Sequence, residues 1–466
     1  MRCSITLDNN TTNNGIVILG GGLAGLSAGY VLSKEGRKVL VVEGDSTVGG
    51  LSKTYKHNGF MFDLGGHRFI THNRSLERFV NELLRGEFLK VPRTSQIFMF
   101  DKYFDYPLKP ANAMFGLGVF TSIQILLDYW KEKVKNALSP PEIISLEDWV
   151  VNQFGRKMFN LYFKQYSEKV WGIDCKSISQ EWVAERIKGL SLWEAIKNGF
   201  TKVSGKSIKT LADEFIYPPY GIGQLSDKFK EGIEEAGSSV VTDTRVVKVN
   251  REDFNVNSIT VANNGKEYDI EGEEFISSIP LTHLARMLEP EAPDDVLDAA
   301  SRLRYRDIVI VTIMLDREKV TDLTWLYFPE KDMPLGRIHE PKNWSPYMAP
   351  EGKTHVVAEF FCFKGDKIWN SSDEELTSIT VKNLEKLGFI KESEVIDSCV
   401  VRAAKAYPLM EVGYREPYEK ILKYLKNFKN LRPIGRGGLF KYYNMDRAME
   451  SGIEVAEEIL GRKVLE

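Results

Sequence analysis

The sharpest switch between polar and apolar residues lies near the start of the chain. A polar opening of fourteen residues, rich in Asn and Thr, gives way to an aliphatic run at 16–19, a glycine cluster at 20–25 and a helix-periodic stretch at 26–35. A second run, KVLVVE at 38–43, is almost wholly aliphatic, as a strand buried on both faces of a parallel sheet must be. Together these predict a strand–helix–strand unit. Helical patterning then dominates at 75–84, 111–136, 145–171 and 184–207, the last weakened by Gly189 and Gly199. Strand character returns at 239–249 and 275–279, and the run at 303–314 opens a second β-rich block that extends to about residue 363. A Gly-rich turn and a long helix close the pattern at 436–460. No internal repeat or low-complexity segment interrupts it. Two β-rich blocks separated by helices predict an α/β protein with a discontinuous Rossmann-type domain at 1–85, 205–290 and 400–466. Inserted into it are a mostly helical region at 86–204 and a β-rich domain at 291–399.

Composition changes this picture little. A chain of 466 residues is too long for one core, and 43% hydrophobic with 27% charged residues describes an ordinary globular protein. A net charge of −3 gives no pull toward nucleic acid or anionic lipid. Cys3, Cys175, Cys362 and Cys399 are scattered, with no CxxC pair and no metal-ligand spacing, which fits thiols in a reducing compartment and no metal site. The start has no signal-peptide pattern. The stretch at 111–130 lacks the unbroken apolar length of a membrane span and ends in Asp128, Tyr129 and Trp130. It reads as an amphipathic helix, with a peripheral membrane patch as the minority reading, and the expected location is cytoplasmic. Monomer and homodimer both stay open.

Chemistry enters with the glycine cluster. Gly20-Gly21-Gly22-Leu23-Ala24-Gly25 satisfies GxGxxG after a strand and at the start of a helix. Gly20 permits the tight turn, Gly22 lets backbone approach a pyrophosphate, and Gly25 allows close helix–strand packing. Glu43, at the end of the second strand, is placed to accept ribose hydroxyls. These residues leave NAD and FAD both open. Gly49-Gly50-Leu51 and Asp63-Leu64-Gly65-Gly66-His67 supply two further paired-glycine turns, and a side chain at such turns would hold backbone away from a ligand.

The pattern E-x5-GG-x12-DxGG-H resembles the amine-oxidase, desaturase and mutase superfamily of FAD proteins, which implies FAD and a Rossmann-type FAD-binding domain of the GR2 type with inserted helical and β-sheet substrate domains. The segment from Leu161 to Asp174 is similar to the FxxYTxxxWGLD stretch of UDP-galactopyranose mutases, and the segment from Gly435 to Asp446 to their GRL-x3-KYYDMD. Tyr305-Arg306, Gly336-Arg337-Ile338-His339-Glu340 and Ala406-Tyr407-Pro408 are similar to three further segments of that family, in the same order. GGHRF and KVWGI also resemble protoporphyrinogen-oxidase-like proteins of surface-polysaccharide gene sets.

The mutase resemblance implies an enzyme acting on a nucleotide sugar in surface-glycan synthesis. Its reduced flavin attacks the anomeric carbon through N5, and the adduct opens and recloses with the other ring size. It further implies Trp171 and Tyr166 at the nucleotide end, Arg186, Tyr407 and Tyr442 at the diphosphate, and Arg337 and Arg436 beside the flavin with His67. Val247 stands where backbone holds the adenine, and Leu23, Ala24, Leu51, Gly435, Asn444 and Met445 complete the FAD contacts. An electron donor for the flavin is needed and is not identified. Asn444 in place of Asp, the spacing of Arg186, Arg68, and Gly437-Gly438 depart from the mutase pattern and point away from strict UDP-galactopyranose specificity. The wider superfamily implies the alternative, an oxidase or desaturase whose flavin takes a hydride. Taken singly, Trp171, Tyr166, Tyr442 and Tyr443 also suit a hydrophobic core. Arg186 also suits a helix cap or a surface pair with Glu181 or Glu185, and Tyr217-Pro218-Pro219-Tyr220-Gly221 a rigid turn. His57, His72 and His283 read as ordinary.

Overall fold

The computed structural model describes residues 14–106, 116–186 and 214–465. The strand–helix–strand unit is present as Asn14–Leu19, Leu23–Lys34 and Val39–Val42. The helix starts three residues earlier than expected, because Gly22 acts as its N-cap and the Leu-Ala-Gly that follows is already helical. Both strands alternate between two cores. Ile16, Ile18, Val39 and Val41 pack under the helices Leu23–Lys34, Gly223–Glu235 and Met445–Leu460. Val17, Leu19, Leu40 and Val42 pack under Leu281–Arg286, Asp294–Arg302 and Arg415–Leu425. A sheet covered on both faces accounts for the near-continuous aliphatic runs.

The first strand pairs in parallel with Val39–Val42 on one side and with Lys266–Ser277 on the other. Ser239–Val241 and Leu431–Pro433 extend the parallel core, and Arg245–Glu252, Asn255–Asn263 and Lys266–Ser277 form an antiparallel meander beside it. A second, seven-stranded sheet runs in the order Val395–Leu409, Arg304–Leu315, Thr354–Cys362, Arg337–His339, Trp325–Tyr327, Ser95–Met99, Lys102–Asp105. The second sheet therefore holds the chain as far as Leu409, past the boundary expected at residue 400. The two strands within 95–105 fall in a stretch read as mostly helical; four or five residues hold too few periods to compete with the helical patterning around them.

The helical stretch at 145–171 is not continuous. Helix Leu146–Phe154 ends at Gly155 with φ +85°, and a π-turn at Phe159–Phe163 precedes helix Lys164–Trp171. Most of the helix expected at 184–207 lies outside the described residues, which end in helix Gln180–Arg186. Helix Val119–Leu138 buries only Ile125 and Tyr129 and leaves Phe120, Leu127, Trp130, Val134 and Leu138 exposed. Among the described residues no helix is long and apolar enough to cross a membrane, and no group of His, Cys, Asp and Glu could hold a metal. Cys175, Cys362 and Cys399 are free thiols.

Candidate active site

The glycine cluster forms a cradle whose shape depends on missing side chains. Gly20 turns the chain at φ +102°, and a Cβ there would stand 2.4 Å from Ser278 Oγ. A Cβ on Gly25 would stand 2.1 Å from the Gly20 carbonyl oxygen. Gly22 has nothing within 4 Å of its Cβ position, so its face opens onto free space. The helix behind it carries no side-chain cap, which leaves the donors of the Leu23–Ala24–Gly25 turn available to an anion. The second turn joins the first directly: Gly49 N–H donates to Gly21 O at 2.7 Å, and a Cβ on Gly50 would meet Gly22 Cα at 3.3 Å. Leu51 packs beside this turn, half buried against the core of the second sheet.

Glu43, expected as the last residue of the second strand, directly follows it. Its Oε2 accepts from Gly21 N at 2.7 Å and its Oε1 from Asp45 N at 2.9 Å, so it closes the glycine loop and keeps further lone pairs. Thr244 N donates to Glu43 O, which brings the next segment alongside. Val247, half buried, falls within the register shift between Val246 and Lys248. On the far side Gly435 lies against Ala24, where a Cβ would come within 2.7 Å, and its N–H donates to Ser451 Oγ. Asn444 is the N-cap of the last helix and Met445 its buried first residue.

The third glycine turn faces the second sheet. Gly65 has φ +90°, with the Glu359 carboxylate 3.1 Å from its Cβ position, and a Cβ on Gly66 would lie 2.2 Å from Trp325 Nε1. Beneath the turn Asp63, 1% exposed, accepts from Thr54 Oγ1, Tyr217 OH and the Ile222 amide. Burial pushes its carboxyl up to about 7 against these hydrogen bonds. Next to the turn, burial and the charges of Arg436 and Arg337 push His67 down to about 3, so it is a neutral ring at working pH.

Arg337 reaches this turn from its own strand. Its Nε donates to Glu359 Oε2 at 2.5 Å, and Glu359 Oε1 accepts from Gly66 N at 3.1 Å. Arg436 donates to the Ala406 carbonyl and lies over the rings of Tyr442, at 4.5 Å, and Tyr407, at 5.3 Å. Those two rings stack at 5.7 Å, with an interplanar angle of 12°. Burial holds Tyr407 up at about 12 and Tyr166 well above the usual tyrosine range, which makes both neutral donors. Tyr166 meets Tyr327 edge-on. Trp171 is 2% exposed and packs edgewise on Trp182, Tyr407 and Tyr442. Its ring supports the wall from behind and shows no free stacking face. Arg306 fixes its helix by donating to the carbonyls of Lys169 and Val170. The side chain of Arg186 lies outside the described residues.

The fold thus gathers His67, Tyr166, Trp171, Arg337, Tyr407, Arg436 and Tyr442 into one wall facing the glycine cradle. Sequence reasoning missed Glu359, whose strand THVVAEFFC reads as core, and Asp63, which lay inside a quoted motif without a role. Among the described residues, His67 Nδ1, Trp325 Nε1, Arg436 Nε and both ring nitrogens of His339 are buried with no hydrogen-bond partner. Buried polar atoms seldom stay unpaired, and several of them beside a cradle that any Cβ would fill fit a bound ligand with many polar atoms. A dinucleotide flavin meets that description. Its pyrophosphate suits the open face of Gly22, and its ring suits the Gly65-Gly66 turn.

Comparisons with known proteins bear on the family, the fold and the cofactor. The family described as flavin containing amine oxidoreductase matches residues 23–460. Coproporphyrinogen III oxidase of Staphylococcus aureus is 20% identical over 96% of this chain and 98% of its own. Protoporphyrinogen oxidase 2, chloroplastic/mitochondrial, of Arabidopsis thaliana is 21% identical over 96% of this chain and 93% of its own. Among solved structures, reduced UDP-galactopyranose mutase superposes with a TM-score of 0.83 at 23% identity, covering 96% of this chain and 94% of that one. Putrescine oxidase bound to putrescine superposes at 0.65 with 16% identity, covering 97% and 99%. The chain belongs to the flavin containing amine oxidoreductase family, and its cofactor is FAD.

Proposed function

We propose that this FAD-dependent enzyme acts on a nucleotide-activated sugar and isomerises its ring between pyranose and furanose forms. The observation that carries the reading is the charge of the wall. Arg337 and Arg436 stand among Tyr166, Tyr407 and Tyr442, a set suited to a diphosphate and not to an apolar tunnel. When bound, FAD supplies a nucleophilic N5 in its reduced state or a hydride acceptor in its oxidised state. The residues of the chain do the rest. Arg436, expected beside the flavin, lies over the rings of Tyr407 and Tyr442 and with their hydroxyls holds the diphosphate; Arg186 is assigned to the same group by the mutase resemblance alone. Tyr166, backed by Trp171, lines the nucleotide end. Arg337 and His67 flank the flavin, the first offering positive charge and the second a neutral surface. A donor that keeps the flavin reduced completes the system.

The test is anaerobic incubation of the dithionite-reduced holoenzyme with UDP-hexopyranoses, with products resolved by chromatography. A furanose product is expected from reduced and not from oxidised enzyme. Absence of product with every UDP-hexose, together with no calorimetric signal for UDP, would sink the reading. The full-length likeness to two porphyrinogen oxidases favours a second reading, hydride transfer from substrate to flavin. Oxygen uptake on a porphyrinogen would establish that reading instead.

A further inference from the structure

Glu359 is fully buried, in the middle of the strand Thr354–Cys362. Its register partner on the neighbouring strand is Arg337, so the two side chains rise from the same face of the sheet as a cross-strand pair. The carboxylate makes two hydrogen bonds, to Arg337 Nε at 2.5 Å and to the Gly66 amide at 3.1 Å. Gly65 brings its backbone so near that a Cβ would sit 3.1 Å from the carboxylate. One buried anion therefore holds a cation of the second sheet and the glycine turn of the first domain together.

The manner of holding matters. A carboxylate that takes the outer fork of a guanidinium uses both Nη groups. Here the bond is to Nε, from the side, and among the described residues the Arg337 side chain makes no other hydrogen bond. Its outer edge, the part that recognises anions, is left for a ligand. The Phe361 ring at 5.9 Å and the neutral His339, 4.0 Å from Glu359 Oε1, add no competing charge.

We propose that Glu359 is a positioning residue of the flavin site: it turns Arg337 side-on against the Gly65-Gly66 turn and offsets its charge, thereby setting the potential of the flavin. The proposal rests on FAD binding beside this turn and is independent of the choice between mutase and oxidase. Arg337 beside the ring favours an anionic reduced flavin, and Glu359 tempers that pull. Without the carboxylate, the full charge of Arg337 acts on the ring.

The test is a double-mutant cycle read as the flavin midpoint potential of the holoproteins, by spectroelectrochemical titration of wild type, Glu359→Gln, Arg337→Gln and the double variant. Glu359→Gln is expected to raise the reduced-to-oxidised ratio at fixed potential about tenfold, about 30 mV for a two-electron couple. Arg337→Gln shifts it the opposite way, and in that background Glu359→Gln has little further effect. An unchanged potential in Glu359→Gln, or an equal shift in both backgrounds, overturns the proposal. Should Glu359→Gln fail to fold, Arg337→Gln and the double variant carry the test, since the double leaves no unpaired buried charge. Equal potentials are then expected, and a tenfold difference between them overturns it.

Discussion

Two surfaces meet at the Gly65-Gly66 turn, and they are made of different material. The cradle is defined by what is absent: at Gly20, Gly25 and Gly66 a single added carbon would lie between 2.1 and 2.4 Å from another atom. The wall opposite is defined by what is present, two guanidiniums and three tyrosines around a buried carboxylate. A surface of backbone is shaped for one cofactor and carries no information on substrate. A surface of long side chains can change its chemistry without disturbing the cradle. That division explains how proteins named as oxidases and a mutase share this fold, and why the fold alone does not choose between them.

The largest effects expected test whether the cradle is as intolerant as it looks. Gly25→Ala should abolish flavin retention and cost more than about 4 kcal/mol of stability, because its Cβ would fall on the Gly20 carbonyl. Gly22→Ala should behave differently. Nothing in the chain occupies its Cβ position, so the apoprotein should unfold within about 0.5 kcal/mol of wild type. The Cβ then intrudes only on the ligand, and FAD affinity should fall about 100-fold, or about 2.7 kcal/mol. Calorimetric FAD titration with urea unfolding of the apoprotein checks both. A Gly22→Ala protein that binds FAD normally would break the comparison on the cradle side.

Asp63 anchors the third glycine turn from below, tying it to Thr54, Tyr217 and Ile222. Its folded value of about 7 lies above the ordinary 3.8, so folding favours the protonated form. That contribution is fully present below pH 3.8 and is lost as pH rises through 7. Between them wild type should lose up to about 1.4 kcal/mol per pH unit relative to Asp63→Asn, which stays neutral throughout. The lowered values of His67, His283 and His355 act in the opposite direction but are common to both proteins, so they cancel in the difference. Urea unfolding of both apoproteins at pH 5 and pH 7 measures this, and parallel pH profiles would show that Asp63 is ionised throughout.

The cradle was far more legible in the sequence than the wall. Gly20, Gly22, Gly25 and Glu43 are a spacing within one βαβ unit, and local physics demands that spacing. The wall is assembled from five segments distant in sequence, and only resemblance brought Tyr166, Arg337, Tyr407 and Arg436 onto one surface in advance. Glu359 could not be read, because one carboxylate in a run of core residues has no period to betray it. Trp171 shows the opposite failure. A tryptophan at the right motif position suggested a stacking face, but Trp182, Tyr407 and Tyr442 cover the ring. The helix Val119–Leu138 read as a buried or partly exposed amphipathic element, and its apolar side is largely exposed.

The smallest predicted effect sharpens the comparison from the side of the wall. Tyr407→Phe keeps the ring that stacks on Tyr442 and receives Arg436, and removes only the hydroxyl. Among the described residues the hydroxyl makes no hydrogen bond, so the fold and the FAD affinity should be unchanged. If it donates to a diphosphate, UDP affinity should fall about 5- to 10-fold, or about 1 kcal/mol, the usual net worth of one hydrogen bond. Competition calorimetry with UDP and with uridine then separates the two ends of the site. The loss should appear for UDP and not for uridine, since Tyr407 lies with Arg436 and not with Tyr166. An equal loss for both would place Tyr407 at the base. No loss for either would leave Arg436 alone to hold the diphosphate, and the wall would then be distinguished from the cradle by a single charge.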